Sequence, residues 1–163
     1  MADAKAGETI YSVDSSSLIH AWRRAYPPKH FPPFWRRLEG LIEDRRLFSS
    51  VEVLRELKRK DDELHEWCKK YTDAFLPIND DLQDQVIEIM GTYPRLVDTV
   101  KGRSGADPFV IGLARLNDPE WVVLSEENPG RQNSPKIPDV CRDEGIRCIR
   151  LVELIQEENW IFR

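Results

Sequence analysis

The sequence is short of most features that would settle its chemistry outright. It has three cysteines, Cys68, Cys141 and Cys148, with no CxxC spacing and no histidine at metal-ligand spacing from them. That argues against a disulfide framework or a zinc ribbon and fits a reducing compartment. No apolar run approaches the roughly 20 residues that cross a bilayer, and the opening stretch MADAKAGET lacks the apolar core of an export signal. A cytoplasmic protein with no membrane partner is therefore expected. A GxxxxGK loop, a GxGxxG turn and a GxSxG elbow are all missing, so no phosphate-cradling loop or nucleophilic serine announces itself. The three histidines, His20, His30 and His65, have no HExxH context. Ser16 stands where a phosphoryl-accepting DxD pair would need its second acid.

What is present is an ordinary globular composition: 163 residues, 40% apolar and 33% charged. This is enough chain for one domain with its own core. We expect that domain over residues 9–163, with residues 1–8 as a disordered extension. The net charge of −5 is unevenly spread. Residues 1–60 carry 12 Lys/Arg against 8 Asp/Glu, and residues 61–163 carry 12 against 21. An acidic chain of this kind can still present a local basic face to nucleic acid.

Short β-branched or aromatic runs alternate with helical periods. Strands are expected at residues 9–13, 47–50, 75–78, 121–124 and 147–150. Between them, residues 16–25 read as a helix stopped by Pro27-Pro28. The stretch from Pro27 to Pro33 reads as an ordered loop, followed by an amphipathic helix through Phe34, Leu38, Leu41 and Ile42. The segment after residue 50 reads as a helix with Val51, Leu54 and Leu57 inward, and Leu64, Trp67 and Tyr71 continue the period. A helix capped near Asn79-Asp80 carries Leu82, Val86, Ile89 and Met90. Helices over residues 106–116, 139–144 and 151–158 complete the series. This alternation predicts an α/β domain of three layers, with a short central parallel sheet flanked by helices.

Ligands of open α/β sheets bind beyond the carboxyl ends of the strands. Here the sequence places acids at four such points: Asp14 after the first strand, Glu52 and Glu56 beyond the second, Asp107 at a helix start, and Glu126-Glu127 after the strand at 121–124. Two unit charges about 4 Å apart repel by about 4 kcal/mol at an effective dielectric of 20, so such a cluster calls for a cation. Hard oxygen donors suit Mg²⁺ or Mn²⁺. Taken singly, Asp14 and Asp107 also read as helix N-caps, and the glutamates as surface charge.

These segments resemble the PIN-domain nuclease family. The likeness lies in YSVDSSSLI around Asp14, SSVEVLREL around Glu56, ADPFVI around Asp107 and VVLSEE around Glu127, in that order over about residues 9–160. The proline-rich segment from Tyr26 to Trp35 and the stretch KIPDVC look like a less characterised prokaryotic branch close to VapC-type toxins. The resemblance implies a metal-dependent endoribonuclease acting on single-stranded or structured RNA. In it Asp14, Glu56, Asp107 and Glu127 are catalytic and hold Mg²⁺ or Mn²⁺, with Glu126 or Glu52 as substitutes for their neighbours. Ser16, Arg23, Lys101, Arg103 and Ser125 would meet the substrate. It further implies the toxin of a toxin–antitoxin pair, with an antitoxin partner and a possible homodimer. The chain departs from the family pattern in having Glu where the last acid is usually Asp, which leaves a catalytically degenerate protein- or RNA-binding module as the alternative.

Overall fold

The computed structural model describes residues 8–97, 105–117, 119 and 121–163. The expected extension at 1–8 falls outside them except for Glu8, which lies 3.2 Å from Arg46. Five strands form one parallel sheet in the order β3-β2-β1-β4-β5. They are β1 (Tyr11–Val13), β2 (Leu47–Ser50), β3 (Phe75–Leu76), β4 (Val122–Leu124) and β5 (Cys148–Ile149). The helices are α1 (Ser15–His20), α2 (Pro32–Glu43), α3 (Val51–Lys60), α4 (Asp62–Cys68), α5 (Asp80–Thr92), α6 (Asp107–Leu116), α7 (Ile137–Glu144) and α8 (Leu151–Glu157). The α/β architecture expected from the alternation of periods is the one observed.

The central strands are buried on both faces, and sequences of such strands read as near-continuous apolar runs. Every residue of β1, β2 and β4 is buried. Their few hydroxyls are matched: Ser12 Oγ donates to Val110 O at 2.8 Å and Ser49 Oγ to Val13 O at 2.6 Å. The first bond ties α6 to the central strand, and the second ties the upper end of β2 to β1.

At the opposite, amino-terminal edge, Arg46 closes the sheet. It donates to Glu158 Oε1 at 2.9 Å, to Glu158 Oε2 at 2.6 Å and to Thr9 O at 2.9 Å, and the Tyr11 hydroxyl donates to Glu158 Oε2 at 2.6 Å. Beside this lies an aromatic cluster. Phe34 stacks on Tyr26 at 4.3 Å, Trp35 meets Trp22 and Trp67 edge-on at 5.1 and 4.9 Å, and Trp160 reaches Phe34 from beyond α8 at 6.1 Å.

Three local expectations need correction. The helix α2 begins at Pro32, inside the expected loop, because prolines at the first two helical positions forfeit no hydrogen bond. The helical run through Tyr71 breaks into a 3₁₀ segment, Lys69–Ala74, with Tyr71 at φ −127°, ψ 43°. The inward face of α3 is formed by Val53, Glu56 and Leu57, while Val51 and Leu54 are half-buried. The helix starts directly at the end of β2, capped by Ser50 Oγ on the Glu52 N–H at 3.2 Å. Its rotation is therefore fixed by the strand's exit, and that turns a glutamate inward.

Candidate functional site

All five strands point the same way, so their carboxyl ends share one edge. The chain leaves β1 toward β2 on one side, and β4 and β5 lie on the other. The topological switch thus falls between β1 and β4, the point at which such sheets bind ligands. The residues that leave these two strands are Asp14 and Ser125, each about 1% exposed. The Asp14 N–H donates to Leu124 O at 2.9 Å and the Ser125 N–H to Ile149 O at 3.0 Å, which locks both exits together.

Asp14 occupies the N-cap position of α1, yet its side chain makes no capping bond. Its Oδ2 accepts from Ser16 Oγ at 2.6 Å and from Ser125 Oγ at 3.3 Å, and the two hydroxyls are 3.4 Å apart. Its Oδ1 is buried without any hydrogen-bond partner. Asp107 is the first residue of α6, 6% exposed, and the cap position belongs to Ala106, which caps nothing. Neither carboxylate is therefore a helix cap. Glu56 is 2% exposed and accepts from Lys60, one helical turn on.

The four acids act on one another. Burial above all, then the charge of Glu127 and, less strongly, that of Glu56, push the Asp14 carboxyl up to about 7; the Ser16 hydrogen bond works the other way. Burial, then Asp14, Glu127 and Glu56, push Asp107 up to about 9, with Lys60 opposing. A buried group that repels its neighbours and lacks a partner costs several kcal/mol unless something compensates it.

The neighbouring acids have different occupations. Glu126 Oε1 accepts the Leu151 N–H at 2.7 Å, which caps α8, and its backbone N–H donates to Ser16 Oγ at 3.0 Å. Glu127 Oε2 accepts the Ile137 N–H at the start of α7, at 3.2 Å, and its own N–H donates to Ser125 Oγ at 3.2 Å. Glu52 is engaged by Arg55. Arg23 donates to Asp61 Oδ2 at 2.7 Å and to Lys60 O at 2.6 Å, so it ties the π-helical turn Ala21–Ala25, which follows α1, to the junction of α3 and α4. Lys101 and Arg103 lie outside the described residues.

Sequence reasoning missed two cations that shape this edge. Lys60 pairs with Glu56 across the i, i+4 spacing of a helical ion pair, a signal that was available. Arg150 donates to Glu126 O at 3.2 Å, Glu127 O at 3.4 Å and Asn128 Oδ1 at 2.7 Å, and so fixes the backbone that carries Glu127. Only the folding of β5 beside β4 brings it there. Asp139, also missed, anchors the same segment: its Oδ2 accepts the N–H groups of Gly130 at 2.6 Å and Lys136 at 2.9 Å.

As the side chains stand, no three acid, imidazole or thiol groups among the described residues are gathered around one ion position. The donor set nevertheless suits a hard divalent cation. It offers only oxygens, the charges are mutually repulsive, and Asp14 keeps one buried oxygen without a partner.

The chain's parallel sheet with this strand order, with buried acids at its switch point, is the fold that the likeness to solved structures also shows. Its fold is similar to that of VapBC2 from Rickettsia felis, solved bound to a DNA fragment from its promoter, at a TM-score of 0.53 and 14% identity over 87% of this chain and 98% of that one. It is also similar to FitAcB from Neisseria gonorrhoeae, at 0.52 and 14% over 86% and 96%. The chain itself belongs to the DUF4411 family, a domain of unknown function whose profile matches residues 11–162. Comparison with curated proteins finds no match. No helix among the described residues is long and apolar enough to cross a membrane.

Proposed function

We propose that this chain is a divalent-metal-dependent endoribonuclease of the cytoplasm, acting as the toxin of a toxin–antitoxin pair. The observation that carries the reading is the buried, unpartnered Oδ1 of Asp14, set among three further carboxylates at the sheet's switch point. Asp14, Glu56, Asp107 and Glu127 would hold Mg²⁺ or Mn²⁺. When bound, such an ion polarises a phosphodiester and acidifies the attacking water.

The chain's own groups do the rest. Ser16 and Ser125 hold Asp14 Oδ2 and leave Oδ1 without a hydrogen-bond partner, and Arg150 and Asp139 keep the Glu127 segment in place. Without an ion, Asp107 keeps its proton at neutral pH, so uptake of a cation releases protons. The antitoxin partner is supported by the similarity to VapBC2 and FitAcB, both solved as toxin–antitoxin assemblies. The same similarity supports a dimer of the present chain.

The test is cleavage of end-labelled single-stranded and hairpin RNAs in Mn²⁺, with wild type, Asp14→Asn and chelator arms. Cleavage that both the substitution and the chelator abolish is expected. RNA left intact by folded wild-type protein in Mn²⁺, with no growth arrest on induction, would sink the nuclease reading in favour of a binding module.

A further inference from the structure

Glu56 is almost wholly buried among acids, but it does not face them uncompensated. The Lys60 ammonium sits on Glu56 Oε1 and, among the described residues, its charge offsets repulsion at Asp107. The two ends of Lys60 behave differently. Its main chain is pinned, because Arg23 Nη2 donates to Lys60 O at 2.6 Å while Arg23 Nε holds Asp61 at 2.7 Å. Its side chain is 50% exposed, and its ammonium ends a flexible four-carbon stem. A cation of this kind leaves a carboxylate cheaply, since its head is rehydrated as soon as it moves.

Within the metal-site reading on which this rests, we infer that Lys60 is an internal counter-cation that holds Glu56 when no ion is present and gives it up when one is taken. The exchange accounts for two observations together. The four acids share one field without converging on one point, and the acid that α3 turns inward is the one with a cation a single turn away. Lys60 thereby keeps the empty cluster folded and sets the concentration at which a divalent ion is accepted. Glu127 is held off in a weaker way, by the main-chain N–H of Ile137 at 3.2 Å.

The experiment titrates the full chain with Mn²⁺ alone, in the absence of RNA, and reads the affinity by calorimetry and the ion-free melting temperature in chelator. Lys60→Met and Lys60→Gln remove the charge, and Lys60→Arg retains it. Both neutral variants are expected to bind Mn²⁺ at least about fivefold more tightly than wild type, the worth of one partly exposed ion pair to a buried acid. Both should melt lower than wild type without ion, and Lys60→Arg should stay within twofold of wild type in affinity. Wild type that binds Mn²⁺, with neutral variants that bind no more tightly, overturns the counter-cation role and leaves the metal site standing. Folded wild type and variants that all ignore millimolar Mn²⁺ overturn the metal site as well. Because Lys60→Gln keeps a polar head at the same place, loss of folding in Lys60→Met alone does not remove the test.

Discussion

Replacing Asp14 by Asn should stabilise the ion-free protein, by an amount that depends on pH in a way no cap or packing effect would reproduce. The folded chain holds the Asp14 proton up to about pH 7, against an ordinary 3.8. Between those values the folded state keeps a proton that the unfolded state has released, so stability falls as pH rises and levels off above 7. At about 1.4 kcal/mol per pH unit the full cost at pH 8 is about 4 kcal/mol. Most of that cost is burial of the charge and the rest is repulsion shared with the other acids; Asn still buries a polar group, so recovery of about half, ~2 kcal/mol, is expected. In a chain of this length that raises the melting temperature by about 4–8 °C. Asn caps helices about as well as Asp, so capping does not confuse the comparison. The assay is thermal melting in chelator from pH 4 to 8, repeated in Mn²⁺. The advantage of the variant should shrink toward zero as pH falls to 4 and should reverse in Mn²⁺, where the wild type gains by ligand linkage. An Asn variant that melts at or below wild type at pH 8, or an advantage that ignores pH, would refute the repulsive cluster.

Two further substitutions probe the supports of the site. Asp139→Ala leaves the N–H groups of Gly130 and Lys136 without their shared acceptor. It should cost about 2–3 kcal/mol by urea midpoint, and should weaken Mn²⁺ binding because the segment carrying Glu127 loosens. Phe34→Ala removes a ring that is 1% exposed and touches Tyr26, Trp35, Trp160 and Phe162. It should cost about 3–5 kcal/mol while leaving Mn²⁺ affinity in the surviving folded protein unchanged, since the ring's contacts are with other aromatic side chains.

The sheet was legible in the sequence because parallel strands buried on both faces write themselves as apolar runs, and even the two-residue strand Phe75–Leu76 is marked by its flanking helices. The edge at which acids collect was legible for a related reason. An acid directly after a buried strand has nowhere to go but the carboxyl end of the sheet, and Asp14 stands at such a position, while Asp107 is marked instead as the buried first residue of an apolar helix. What escaped were distinctions between neighbours on one segment. Glu52 and Glu56 share a helix, and Glu126 and Glu127 share a turn, so their spacing leaves both members of each pair open. The fold separates them by main-chain geometry: the exit of β2 turns Glu56 inward and leaves Glu52 to Arg55, while the start of α8 takes Glu126. Arg23 escaped for the same kind of reason, since its partners Lys60 and Asp61 lie 37 and 38 residues away and meet it only when the turn Ala21–Ala25 packs against the end of α3. Periodicity reports which face of an element is apolar. It carries no information on which polar group a distant helix end will claim, and those claims decide which of two adjacent acids is left facing the site.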